Sequence, residues 1–259
     1  MKVVTFNMRT LWNGDGINSF IHRIGLIYEK INAENPDVVG FQEMKENHYD
    51  VMKKLFPNYE FFGSGRHKNY NGEGLYTAFK KDLFTCVKSD IFWLSDTPKI
   101  KESRFETQSE YPRICIVNKL FNKEAKKCVW IYNTHLDYLP LTDADKKNNE
   151  FDVRTLGIKC ILNKMQDNFD QDPVILMGDF NAYPQDDCVK LCRENFTDAT
   201  DNLTTTFHAF GTKKEPLKID YIFLSDELKD KFSPAYTWED VKNGIYLSDH
   251  YPVAVEIDF

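Results

Sequence analysis

Short apolar runs that stop abruptly on polar residues narrow the possible folds of this chain more than any other pattern in it. VVTF stops at Asn7, VVGF at Gln42 and Glu43, VILM just before Gly178 and Asp179, and YIFL follows directly on Asp220. Runs this short, rich in β-branched and aromatic residues, read as buried strands rather than helices. The pattern predicts strands over Lys2 to Asn7, Asp37 to Phe41, Tyr59 to Gly63, Gly74 to Lys80, Phe84 to Leu94, Arg113 to Phe121, Lys127 to Thr134, Val174 to Met177, Ile219 to Leu224 and Pro252 to Phe259. NKEAK, between two of them, reads as a hairpin turn. Helix periodicity appears in between. Ile21, Ile24, Ile27, Tyr28 and Ile31 recur at three and four over Asn18 to Asn35, and Pro36 stops that helix. A second amphipathic stretch runs up to Pro57, a third from Asn148 to Phe169 and a short one from Cys188 to Arg193. Strands with a few interspersed helices predict a layered α/β protein with mixed sheets.

The 259 residues are 42% apolar and 14% aromatic, enough to build a large core, and they hold no internal repeat or Gly/Ser linker. A single domain over 1–259 is therefore expected. Basic residues number 33 against 40 acidic, giving a net charge of −7, which disfavours non-specific binding to duplex nucleic acid. No run approaches the roughly 18 apolar residues of a membrane span. The opening MKVVTFNM alternates like a strand and carries no signal-peptide pattern, so a cytoplasmic protein is expected. Its six cysteines, scattered through apolar segments, are expected to be reduced and buried.

Polar residues that could do chemistry collect at the strand ends: Asn7, Glu43, Asn133, His135, Asp137, Asp179, Asn181, Asp220, Asp249 and His250. Each alone has a bland reading. Asn7 could form a turn, Glu43 could open a helix, Asp179 and Asn181 could cap a loop, and Asp249 with His250 could be a surface turn. Asp220 is harder to dismiss, because a carboxylate between Ile219 and Ile222 needs a partner, and a histidine would serve. Carboxylates and amide oxygens without thiolates suit Mg²⁺, with Mn²⁺ as substitute, rather than zinc or copper.

The ordered set TFNM, FQEM, YNTHLDY, MGDFNAYP, KIDYIF and LSDHYPV, from Val3 to Val255, resembles the endonuclease/exonuclease/phosphatase family of DNase I-like fold. The resemblance implies a four-layer α/β sandwich, two packed mixed β-sheets flanked by helices, with the site at one end. It implies that Glu43, helped by Asn7, binds the catalytic Mg²⁺ and that Asp249 lies near it. Asp179 and Asn181 would position the attacking water and the phosphate. His250, held by Asp220, and His135 would flank that phosphate. Either His250 or Asp179 could be the general base.

Arg113 would point at the cleft under the same resemblance, or pair with Glu110; Arg154 faces a similar choice. Asn133 would also touch substrate. The polar loops 63–74 and 95–112, with Arg66, His67, Lys68, Lys99, Lys101 and Arg104, are candidate specificity elements. The Tyr-x-Pro-Asn-x-Gly segment of abasic-site endonucleases has no counterpart beyond Tyr111-Pro112-Arg113. The expected activity is metal-assisted phosphoester hydrolysis on a small phosphoester or short single strand rather than duplex DNA. The rival is a catalytically silent binding module of the same fold.

Overall fold

The computed structural model describes residues 1–139, 152–167 and 171–259. The chain runs through β1 (Lys2–Asn7), a 3-10 turn at Asn13–Asn18, α1 (Phe20–Glu34), β2 (Val38–Met44) and α2 (Glu46–Leu55). A hairpin of β3 (Tyr59–Gly65) and β4 (Gly74–Lys80) follows, then β5 (Phe84–Trp93), β6 (Ile114–Asn122) and β7 (Lys127–His135). Beyond these come α3 (Val153–Asp167), β8 (Val174–Asp179), α4 (Asp187–Asn195), β9 (Thr197–Asp198) and β10 (Asp220–Leu224). The last elements are β11 (Tyr236–Thr237), the ribbon of β12 (Val241–Lys242) and β13 (Ile245–Tyr246), and β14 (Val253–Glu256).

Two six-stranded sheets form, in the orders β11-β14-β1-β2-β4-β3 and β5-β6-β7-β8-β10-β9. Each is antiparallel except at one central parallel pair, β1 with β2 and β7 with β8. Parallel neighbours need a crossover, and α1 lies in the connection between β1 and β2 as α3 does between β7 and β8. Both sheets are therefore mixed. The period-two alternation of each strand then builds four layers. Val3, Ile131, Ile175, Met177 and Ile222 fill the space between the sheets. Val4, Phe6, Val39 and Phe41 pack outward against Ile27, Ile31 and Met52 of α1 and α2. Tyr132, Leu176, Tyr221 and Phe223 pack outward against Ile158 and Ile161 of α3 and Val189 of α4.

Several boundaries differ from the sequence reading, for physical reasons. In α1 the buried stripe is Phe20, Arg23, Ile27 and Ile31, while Ile21 is 74% exposed and Tyr28 43%. Arg23 holds the middle of that face by donating to the carbonyls of Asn18 and Leu247. β2 runs on to Met44 because a bulge after Phe41 lets it continue. The third helix occupies Val153–Asp167; the expected residues 148–151 and 168–169 lie outside the described residues. The strands β9, β11, β12 and β13 have two residues each, too few for any periodicity. All six cysteines are free, three of them buried. Among the described residues, no helix is long and apolar enough to cross a membrane.

Candidate active site

Topology alone gathers the strand ends. The parallel pairs send the C-termini of β1, β2, β7 and β8 to one edge of the sandwich, and β10 and β14, antiparallel to β8 and β1, begin at that edge. Alternation does the rest. Asn7, His135 and Asp179 continue the rows Val3–Thr5, Ile131–Asn133 and Ile175–Met177, so all three emerge at the mouth of the gap between the sheets. Gly178 makes this possible: a Cβ there would sit 1.9 Å from the Thr134 carbonyl oxygen. Just below the mouth a buried amide lattice ties the sheets together. Gln42 Nε2 donates to Asn133 Oδ1 at 2.8 Å, and Asn133 Nδ2 donates to the carbonyls of Phe41 and Tyr76.

At the mouth, Asn7 Nδ2 donates to Glu43 Oε1 at 3.1 Å and to Asp179 Oδ2 at 2.9 Å, joining a carboxylate of each sheet. Glu43 also accepts the Thr10 N–H at 2.7 Å. Asp179 accepts the Asn181 N–H, as Asn7 accepts the Arg9 N–H, each two residues on. These matching turns put Arg9 at φ 55° and Asn181 at φ 47°, and Glu43 itself sits at φ 59°. Left-handed residues other than glycine cost about 1–3 kcal/mol each and cluster where geometry matters for function. Asn181 Nδ2 lies 3.0 Å from His135 Nε2, which is 3.4 Å from Asp179 Oδ2. On the other side of Asp179, His250 Nδ1 lies 2.9 Å from Asp220 Oδ2 and its Nε2 lies 3.8 Å from Asp179. The partner expected for Asp220 is thus present, and Phe207 stacks edgewise on the imidazole.

Burial separates the charges of these groups. Although burial opposes the charged form, Asp220 and Asp179 lift His250 from its ordinary 6.5 to about 10, so it is an imidazolium at neutral pH. His135 is driven well below its ordinary range, first by burial and then by Arg113 and Arg66, and is neutral. Burial, with Asp220 close by, raises Asp179 from 3.8 to about 7. A carboxyl poised near neutrality beside an imidazolium suits proton transfer.

Glu43, His135, Asp179, Asn181 and His250 open onto a cleft of ≈ 510 Å³, whose lining also includes Arg66, Tyr111, Arg113, Tyr138, Arg154 and Asp249. Asp249 is braced by Ser248 Oγ at 3.1 Å and Arg9 Nη1 at 3.6 Å. Arg113 reaches the cleft and does not pair with Glu110; its ion-pair neighbour is Asp137, at 3.8 Å. Arg154 is held by Asp152 and Asp186 and donates to the Asn181 carbonyl, fixing that loop. Two of the candidates lie apart from the cleft lining. Arg104 is exposed, bonds the Ser109 carbonyl and lies outside the cleft lining, because its loop turns back on itself. Asn133 is fully buried in the amide lattice and is not part of the cleft lining. The sequence reading misses Arg9, Glu73, Tyr138, Tyr183 and Phe207, all of which line the cleft. Arg9 has a signal: it stands two residues past a strand-end Asn, as Asn181 stands two past Asp179.

Glu43, His135 and Asp179 bring one ligand atom each within 4.8 Å of one another, as do Asp179, Asp220 and His250. Oxygen donors converging from two sheets, with only a neutral amide between them, fit a hard divalent cation.

A profile of the Endonuclease/Exonuclease/phosphatase family matches residues 4–250. An uncharacterized protein of Acanthamoeba polyphaga mimivirus is 23% identical over 98% of this chain and 99% of its own. The endonuclease/exonuclease/phosphatase from Bacteroides vulgatus superposes with a TM-score of 0.86 at 24% identity, over 99% of this chain and 98% of that one. A Bacteroides thetaiotaomicron mannosyl-6-phosphatase does so with 0.85 at 24% identity over 100% of both chains. By this match the chain belongs to the Endonuclease/Exonuclease/phosphatase family, whose members are phosphoester hydrolases that generally use a divalent metal.

Proposed function

We propose that this chain is a Mg²⁺-dependent hydrolase of small phosphoesters. The observation that carries the reading is the convergence on Asp179 of two groups, Glu43 with His135 and Asp220 with His250, at the floor of one cleft. Glu43 is the carboxylate that would hold the cation, with Asn7 beside it and Asp249 on the same rim. Bound there, Mg²⁺ would polarise the phosphoryl group and offset its growing charge. Asp179, raised towards neutrality, takes the proton of the attacking water, which Asn181 helps to position. The His250 imidazolium, kept charged and oriented by Asp220, faces the phosphate oxygens and stabilises the transition state. His135 stays neutral and directs a ring nitrogen at the same centre.

A small substrate or a short single strand is favoured over a duplex by the size of the cleft, ≈ 510 Å³, and by the net charge of −7. The likeness to a mannosyl-6-phosphatase is in keeping with this choice. A panel of phosphoesters assayed with Mg²⁺, then with EDTA, tests the reading: turnover should appear with the metal, vanish with the chelator and return with Mn²⁺. Glu43→Gln should raise the Mg²⁺ concentration for half-activity by at least about tenfold. An unchanged metal dependence removes Glu43 from the site.

A further inference from the structure

Among the described residues, the least compensated cation lining the cleft is Arg113. It is 5% exposed, yet among the described residues its side chain makes no hydrogen bond, and its Nε is buried without a partner. Asp137, its ion-pair neighbour, is already engaged: Oδ2 accepts the Ser109 hydroxyl at 2.6 Å and Oδ1 the Leu139 N–H at 2.9 Å. A guanidinium with a buried, unmet Nε–H is costly unless an acceptor arrives. Arg66 repeats the pattern. It is 7% exposed, its Nε is also an orphan, Glu73 takes only one Nη, and its Cζ lies 4.6 Å from the centroid of the Tyr111 ring.

The two guanidinium groups share a narrow recess of the cleft with Glu43 and His135. Leu75, Pro112 and Ile114 also line it. A non-bridging phosphate oxygen carries the charge that two guanidinium groups complement, whereas an esterified oxygen does not. We infer that Arg66 and Arg113 read the peripheral oxygens of a terminal phosphate, so that the substrates are phosphomonoesters rather than internal diesters. This rests on the phosphoester-hydrolase reading above and makes it narrower. In the step it implies, a water oxygen bonds to phosphorus as the P–O bond to the alcohol breaks. One proton of that water goes to the site, the alcohol leaves with a proton, and inorganic phosphate remains on the arginines.

p-Nitrophenyl phosphate and bis-p-nitrophenyl phosphate share a leaving group and differ in the number of esters, so they isolate this property. In Arg113→Gln and in Arg66→Gln, the monoester-to-diester ratio of kcat/KM should fall by at least about tenfold, and the Ki of inorganic phosphate should rise by a similar factor. Arg113→Lys, which keeps the charge but loses the fork, should lose less. Melting curves check folding, with Arg113→Lys as the second variant should Arg113→Gln be unstable. Equal losses on both esters, or an unmoved phosphate Ki, overturn the assignment while leaving the hydrolase reading intact. If neither ester is cleaved with Mg²⁺ or Mn²⁺, it is the hydrolase reading that fails. Phosphate binding by calorimetry then decides the recess: a Kd weakened tenfold in Arg113→Gln supports it, and an unchanged Kd refutes it.

Discussion

At the floor of the cleft, Asp179 is 1% exposed and is approached by Asn7, Asn181, His135 and His250; at its wall, Arg113 is 5% exposed and makes no hydrogen bond among the described residues. Both are buried charges, but they are held by opposite means. The floor stands on strand ends fixed by two sheets and a shared amide lattice, so its groups keep their positions before any substrate arrives. The wall comes from the loops that follow β3 and precede β6, and its donors wait for an acceptor. A preformed floor should govern the chemical step, and an unsatisfied wall should govern binding.

The largest expected effect that can break this division is Asp179→Asn. Removing the proton acceptor should lower kcat roughly 1000-fold with little change in KM. Stability should move the other way. Because burial and Asp220 raise Asp179 from 3.8 to about 7, the folded chain holds that proton more tightly than the unfolded one. The resulting penalty is absent below 3.8 and complete above about 7, so in EDTA the variant should melt above wild type at about pH 8 and gain less at about pH 5. A kcat within tenfold of wild type would take Asp179 out of the chemistry.

The same contrast explains what is legible in the sequence. An apolar run forces a strand, and a polar residue at its end marks where the apolar core stops, so Asn7, Glu43, Asp179, Asp220 and His250 stand out in the residue pattern although all but Glu43 are buried. Asn133 misleads for the same reason. It is polar and near a strand end, but its partner Gln42 is 91 residues away in sequence and lies in the other sheet. Nothing local reveals that pairing. Periodicity misplaces Ile21 because the face of α1 is centred on a buried arginine. The wall is hardest, since loops have no periodicity: Arg66 and Arg104 look alike in sequence, and only their folded neighbours separate them.

Next in size is the pairing of Asp220 with His250. If the carboxylate acts only through the imidazole, Asp220→Asn and His250→Ala should each lower kcat roughly 100-fold, with the double variant little worse than His250→Ala. Additive losses would show two independent roles. Melting curves should accompany the kinetics, with His250→Gln beside His250→Ala, because an orphaned buried Asp220 can mimic a catalytic defect.

A weaker effect sharpens the picture of a preset floor. Burial pulls His250 down, yet Asp220 and Asp179 raise it from 6.5 to about 10, so the folded state holds the proton more tightly. That stabilisation is fully present below 6.5 and is lost as pH rises through about 10. Wild-type Tm should fall across this window, and the fall should shrink in Asp220→Asn. Superimposable Tm profiles of the two proteins would mean that the pair does not hold the charge.

The smallest effect belongs to the wall. Tyr111 lines the cleft, is 36% exposed, carries Arg66 at 4.6 Å from its ring centroid and has the Tyr138 ring 6.5 Å away. A cation over a half-exposed ring is worth about 0.5–1 kcal/mol, so Tyr111→Leu should raise KM for a small phosphoester by roughly two- to fivefold and leave kcat near wild type. Tyr111→Phe keeps the ring face and should change neither. The sign of the split matters more than its size. If Tyr111→Leu lowers kcat as much as it raises KM, the ring is acting on the transition state, and the separation of a binding wall from a chemical floor does not hold.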